Sequence, residues 1–210
     1  MCTRFFIEPN PEQQTIAAKA KESPLAERIT VSLSRPLCLK GEIHPTDLVP
    51  VIATTPKGTQ GVYPMIFGFS VPGIDHPLLN ARSETADRKE LWSECLLKRR
   101  CAIPASYYFE WEHLTKPGGL KATGEKYMMQ TFGSAMTWLA GIYRIEEFRG
   151  IQYPAFVILT RKPGAELLKL HDRMPVVLPR EEVPFWIRPD SNPQVILKHA
   201  ITSLVIEKAG

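Results

Sequence analysis

Cysteine at position 2, directly after Met1, offers more chemistry than any other residue of this chain. If Met1 is removed, the chain begins with a residue that carries an α-amine and a thiol on adjacent carbons. The amine has a reference pKa near ~8 and the thiol near ~8.5, so both are partly nucleophilic at neutral pH. Together they condense with an aldehyde, first to an imine and then to a five-membered thiazolidine. Three further segments place polar groups where a strand or its end is expected to be apolar. In HPLLNARSET (76–85), Asn80, Arg82 and Glu84 alternate and share one face if the segment is extended. An Asn amide can orient an amine, and Arg82 can grip a phosphate with its forked guanidinium. In PASYYFEWEH (104–113), Glu110 lies between Phe109 and Trp111, where apolar surroundings raise a carboxyl pKa and suit it to proton transfer. Alternation puts Glu110 on the face of Tyr108 and Glu112, away from Phe109 and Trp111. In LKLHDRMPVVL (168–178), His171 can act as acid or base near neutral pH. Each segment also has a structural reading: a loop with Ser83 as helix cap, an edge-strand glutamate, and a histidine ion-paired with Asp172 or Arg173.

Around these residues lies an ordinary globular composition. The 210 residues are 44% hydrophobic and 23% charged, with a net charge of +4. That length suits one large domain or two small ones, and the mild basicity permits nucleic-acid binding without requiring it. No run approaches the ~20 apolar residues of a membrane span, and the first residues lack the apolar core of a signal peptide, so an intracellular, cytoplasmic protein is expected. Cys2, Cys38, Cys95 and Cys101 form no CxxC pair and no zinc-like grouping with histidine. No metal or organic cofactor is indicated. The run Lys98, Arg99, Arg100 reads as a solvated helix end. Phe67, Phe69, Tyr107 and Trp111 suit either base stacking or the core.

Nineteen prolines and thirteen glycines divide the chain into short elements. Helices are predicted over 12–28, 83–98, 163–170 and 180–187. Strands are predicted over 36–39, 50–54, 64–71, 101–111, 126–132, 137–145, 153–160, 175–178 and 203–207, with Gly68 at a bulge or close approach. Many short strands with interspersed helices indicate an α+β domain; there is no βαβ rhythm and no glycine-rich phosphate loop.

In order and spacing, these segments resemble the SOS-response-associated peptidase (SRAP) family of DNA–protein crosslinking proteins. The resemblance is carried by Met1 and Cys2, GEIHPTDLVPVI (41–52), YPMIFGFSVPG (63–73), LLNARSETA (78–86), RRCAIPASYYFEW (99–111), TWLAGIY (137–143) and LTRKPGAELLKLHDRMPVVL (159–178). It implies a single α+β domain over 1–210, with a curved, barrel-like, mainly antiparallel sheet flanked by short helices. It also implies a monomer that binds single-stranded DNA containing abasic sites, nucleoid-associated if bacterial. In that family pattern Met1 is removed, by the protein itself or by an aminopeptidase, and Cys2 crosslinks to the ring-opened abasic sugar as a thiazolidine. Crosslink reversal or lyase-like chemistry is the associated activity. The resemblance assigns Cys2 as nucleophile, Asn80 as the group positioning its amine, Glu110 as proton shuttle, and His171 as the residue assisting sugar ring-opening. It assigns DNA contacts to Arg4, Arg82, Trp111, Thr160 and Arg161, and a stacking surface to Phe67 and Phe69. Three positions depart from the family pattern: Thr3 where glycine is usual, Phe67 where tryptophan is usual, and the more basic Arg161, Lys162, Pro163. Two other functions fit these residues: a thiol peptidase acting on other proteins through Cys2, His171 and Glu110, and a noncatalytic single-strand-binding module.

Overall fold

The computed structural model describes residues 2–209 except Pro56 and Lys116. It opens with strand β1 (Arg4–Ile7), then helices α1 (Pro11–Lys21) and α2 (Pro24–Leu33). One helix was expected over 12–28. Two form because Ser23 precedes Pro24 and is held extended, at φ −74° and ψ 121°, since the proline ring disfavours helical geometry in the residue before it. Asn10 caps α1 by accepting from the Gln13 amide at 2.9 Å. The chain continues through β2 (Gly41–Ile43), β3 (Leu48–Thr54), β4 (Gln60–Phe67), β5 (Asn80–Arg82) and α3 (Glu90–Lys98). Next come β6 (Arg100–Ala105), β7 (Tyr107–Thr115), β8 (Lys121–Gln130), β9 (Thr137–Phe148) and β10 (Ile151–Arg161). Short pieces finish it: β11 (Met174–Pro175), β12 (Val177–Leu178), α4 (Val183–Trp186), α5 (Pro193–Lys198) and β13 (Val205–Lys208).

Five strands close on themselves. Strand β3 pairs antiparallel with β4 and β6, β6 with β9, and β9 with β10, while a parallel pairing of β10 with β4 completes the ring. A second sheet has the order β13-β8-β7-β1-β2. The barrel strands are apolar on both faces. On β6, Cys101, Ile103 and Ala105 belong to the core shared with the second sheet, whereas Ala102 belongs to the core under the helices. On β10, Phe156 and Ile158 face the first core, and Ala155, Val157 and Leu159 the second. Such strands read as continuous apolar runs rather than alternating ones. In the first core Phe67 stacks on Phe156 at 5.1 Å and meets Phe5 edge-on at 5.8 Å, contacts that add about 1 kcal/mol each beyond burial.

Four local details depart from expectation, the first two for clear reasons. The run 101–111 is two strands, because Ser106 passes the chain from barrel to second sheet. Its N–H donates to the Phe6 carbonyl at 2.8 Å and its Oγ accepts from the Glu8 N–H at 2.8 Å. Arg100, expected at a solvated helix end, is 1% exposed. Its guanidinium donates to the carbonyls of Leu96, Leu97, Trp186, Arg188 and Ser191 and so ties α3 to the turn after α4. The helices expected over 163–170 and 180–187 shrink to a 3-10 turn at Leu167–Lys169, and to a 3-10 turn at Arg180–Glu182 followed by α4. The 36–39 segment contributes only an isolated bridge from Leu37 to Leu48.

Gly68 follows β4 at φ +109°, and a Cβ there would lie 2.8 Å from Pro77 Cβ and 2.9 Å from Leu79 Cδ2. It is therefore a close approach between the barrel and the segment leading to Asn80. Gly68→Ala is expected to lower stability by about 1–3 kcal/mol, read as a melting temperature several degrees lower; an unchanged melting temperature would contradict the close approach.

Candidate active site

Strand β1 lies between β2 and β7, with Arg4 opposite Phe109 and Phe5 opposite Tyr108. Because side chains alternate, this register sends Phe5, Tyr108 and Glu110 inward. Cys2, two residues before Arg4, is fully buried in the same core as Phe5, Phe67 and Tyr108, and its Sγ lies 3.8 Å from the Arg4 carbonyl. Glu110 is 3% exposed. His171 arrives from a different element: the turn at Leu167–Lys169 ends with the His171 N–H donating to the Leu167 carbonyl at 2.9 Å. The neighbouring Leu170 carbonyl accepts from the His113 N–H at 2.8 Å. A register irregularity between Trp111 and His113 on β7 accompanies this docking, as bulges beside functional sites often do. His171 Nε2 ends 3.6 Å from Glu110 Oε2, and both side chains are buried.

The electrostatics follow from that burial. Loss of hydration disfavours charged forms. Burial pushes the Cys2 thiol well above its ordinary range, and the Glu110 charge adds to the rise. Burial also pushes the Glu110 carboxyl up to about 7. For His171 burial works in the other direction, with His113 adding to it, and the imidazole falls to about 4. At neutral pH the cluster thus holds a protonated thiol, a neutral imidazole and a carboxyl group near its midpoint. The Arg173 backbone N–H donates to His171 Nδ1 at 3.0 Å; a neutral ring that accepts there carries its proton on Nε2, on the Glu110 side.

Asn80 sits on β5, which runs parallel to β10 with Asn80 opposite Ile158 and Arg82 opposite Thr160. Its Oδ1 is buried and has no hydrogen-bond partner among the described residues. An unsatisfied buried acceptor is uncommon and marks a place where a donor belongs. Tyr108 was placed beside Glu110 by alternation alone. Its hydroxyl is likewise buried without a partner among the described residues, and burial followed by the Cys2 charge raises its pKa. His113, Asp172 and His171 gather with ligand-type atoms within 4.8 Å of one another. His171 Nδ1 accepts the Arg173 N–H.

The residues expected to meet DNA separate into two groups. Arg82 is exposed and Arg161 half-buried. Arg4 donates to Glu42 at 3.0 Å, and its guanidinium lies 5.5 Å from the centre of the Trp111 ring. Lys126, which no sequence signal singled out, completes this group. It pairs with Glu42 at 3.0 Å and lies 5.4 Å from the Trp111 ring centre. Its position opposite Trp111 on β8 was not visible without the strand register. Phe67, Phe69 and Thr160, by contrast, are fully buried. The two phenylalanine rings pack on Phe156 and Trp92, and the Thr160 carbonyl accepts from Ser83 and Arg173. Phe67 and Thr160 lie on β4 and β10, whose two faces are both covered by core, and Phe69 lies just beyond β4, so all three are core residues in this structure where DNA contacts were expected. Among the described residues no helix is long and apolar enough to cross a membrane.

A closed five-strand barrel with a second sheet, and a buried glutamate and histidine 3.6 Å apart beside a core that holds Cys2, defines the α+β architecture of this chain. The chain belongs to the SOS response associated peptidase (SRAP) family, whose model matches residues 1–207. Among curated proteins it is similar to the abasic site processing protein YoaM of Bacillus subtilis, at 32% identity over 119 residues, 55% of this chain and 49% of that protein. It is similar also to the abasic site processing protein YedK of Escherichia coli, at 29% identity over 126 residues, 60% of this chain and 54% of that protein. The chain thus spans about half the length of the curated relatives it matches. The fold is shared with a solved protein of Bacteroides thetaiotaomicron, at a TM-score of 0.72 and 20% identity over 99% of this chain and 91% of that one. A phage-related protein of Bordetella bronchiseptica is comparable, at 0.68 and 21% over 99% and 94%.

The Glu110 shift makes a stability prediction. A carboxyl group with a raised folded-state pKa keeps its proton in the fold after the unfolded chain has released it, so the fold loses stability as pH rises from about 4.5 to about 7. Glu110→Gln removes that loss. Relative to the parent, the variant is expected to gain stability across that interval and level off above it, measured by denaturant unfolding at several pH values. A pH-independent difference would contradict the buried carboxyl assignment.

Proposed function

We propose that this protein captures abasic sites in single-stranded DNA by forming a thiazolidine crosslink through Cys2 after Met1 is removed. The observation that carries the reading is the convergence of the Cys2 thiol, a Glu110 carboxyl group near pKa 7 and neutral His171 in one buried cluster. The names of the curated relatives, which are abasic site processing proteins, supply the substrate class.

The chemistry needs little beyond proton transfer. The freed Cys2 amine attacks the aldehyde carbon of the ring-opened sugar and gives a carbinolamine. Loss of one water gives the imine, and addition of the thiol across the C=N bond closes the ring. The thiol is held protonated by burial, so its proton must pass to the imine nitrogen as sulfur attacks. A group titrating near neutrality is best suited to take and return protons in such steps. Glu110 is that group: it receives the amine proton during attack and returns it to the departing hydroxyl. His171 directs its Nε2 proton toward Glu110 at a separation of 3.6 Å, which a bound substrate can shorten. The orphan Oδ1 of Asn80 is an acceptor suited to an amine N–H. Arg82, Arg161, Arg4 and Lys126 are the cations available to phosphates, and affinity gained from them falls as salt rises. The same cluster is suited to release Met1 by hydrolysis, in keeping with the peptidase in the family description.

A single-stranded oligonucleotide with one abasic site is expected to give an adduct that survives heat and detergent on a denaturing gel. Cys2→Ala and an intact oligonucleotide should give none. Glu110→Gln is expected to slow adduct formation by about 10²-fold while leaving noncovalent binding of an intact strand within about twofold. An adduct that persists in Cys2→Ala would overturn the assignment of the nucleophile. Equal losses of rate and binding in Glu110→Gln would remove the carboxyl group from proton transfer.

A further inference from the structure

We propose that Glu84, acting through Arg173, selects the tautomer of His171 that aims its Nε2 proton at Glu110; the catalytic meaning of this rests on the function proposed above. Two groups contest His171 Nδ1. The Arg173 backbone N–H donates to it at 3.0 Å, and Asp172 Oδ1 lies 3.0 Å from the same atom. A ring nitrogen cannot accept from one and donate to the other at once. If the Arg173 N–H holds Nδ1, the proton resides on Nε2 and faces Glu110. If Asp172 holds it, Nδ1 carries the proton and Nε2 turns a lone pair toward the carboxyl group. Asp172 is 74% exposed and can swing into water, but its charge makes it a strong competitor whenever the backbone N–H drifts.

What keeps that N–H in place is the anchoring of residue 173. The Arg173 guanidinium makes a two-pronged pair with Glu84, at 2.8 Å to each carboxylate oxygen. It also donates to the Thr160 carbonyl at 2.8 Å and lies 3.3 Å from the Thr160 hydroxyl. Thr160 is fully buried on β10, and Arg173 is 8% exposed. Glu84 Oε1 accepts in addition from the Lys162 N–H at 3.1 Å. One carboxylate therefore joins the end of β5, the end of β10 and the segment that carries His171. A bidentate guanidinium–carboxylate pair fixes direction as well as distance. Separately, the Arg173 hydrogen bonds hold the Glu84 carboxyl near 2, well below the usual range, so the pair persists across neutral and mildly acidic pH. Glu84 contacts Arg173 and Lys162 and is assigned as a positioning residue.

The test uses the full chain, labelled with ¹⁵N, and reads the His171 tautomer from long-range proton–nitrogen correlations of the ring. Crosslinking rate and melting temperature are measured on the same samples. The parent is expected to show Nδ1 unprotonated and Nε2 protonated. Glu84→Gln, which keeps size but loses the second carboxylate prong, is expected to move His171 toward the Nδ1–H tautomer and slow crosslinking roughly tenfold, a fraction of what a positioned proton-transfer group supplies. The double variant Glu84→Gln with Asp172→Ala removes the competing acceptor and is expected to restore both the tautomer and most of the rate. Arg173→Lys keeps the charge but loses the fork, and should reproduce the shift independently if Glu84→Gln folds poorly. A folded Glu84→Gln or Arg173→Lys variant with the parent tautomer would overturn the proposal, as would a double variant that stays in the Nδ1–H form. If the parent forms no crosslink, the functional reading fails, and the tautomer comparison still decides the role of Glu84.

Discussion

Glu110 is a carboxyl group at 3% exposure in a core that also holds Cys2 and Tyr108, with His171 3.6 Å away. Water cannot solvate its charge there, and the resulting rise to about 7 is what makes the cluster responsive at neutral pH. The same exclusion of water keeps the Cys2 thiol protonated and the His171 imidazole neutral. One physical constraint, burial, is thus the largest cause of all three shifts. An exposed cluster of the same residues would hold Glu110 ionised throughout the neutral range.

The architecture is arranged to create that burial. A closed ring of β3, β4, β6, β9 and β10 has no free edge within it, and its apolar outer face is covered by helices. The second sheet lies against the remaining core and carries β1 between β2 and β7. Residue 2 is therefore held by a paired strand rather than left to fray as most chain termini do. His171 comes from the loop after β10, and a loop needs outside anchors to hold a side chain in register. The Glu84–Arg173 pair and the His113 N–H to the Leu170 carbonyl are those anchors.

Much of the fold was legible; some misses have local causes, and others lie in pairings between distant segments. Strands 137–145 and 153–160 were found because both are long apolar runs rich in strand-forming residues. Their full extents, 137–148 and 151–161, were missed because the polar residues of the hairpin joining them read as loop. The helix predicted from Ser83 starts at Glu90. Residues 80–82 add to β10 as a parallel strand, a pairing with a segment almost eighty residues away that no local pattern encodes. At the site, Cys2 stood out by its place directly after Met1, and Glu110 and His171 as polar groups in apolar settings; Glu110 lies 3.6 Å from His171 and close enough to Cys2 to raise its pKa. Phe67 and Phe69 suited either base stacking or the core in sequence, and the structure packs them, with Thr160, in the core; a strand covered on both faces looks, in sequence, like one with an exposed face. Glu84 and Arg173 lie 89 residues apart, and their pairing follows only from the β5–β10 and β10–β11 registers.

The most direct measurement is a titration of Glu110 itself, following its side-chain carboxyl carbon by NMR in protein labelled at glutamate, with Glu110→Gln identifying the signal. Burial predicts a midpoint near 7, well above the ordinary range of a glutamate. A midpoint near 4.5 would show the carboxyl group to be solvated, and the poised proton-transfer cluster on which this account depends would not exist.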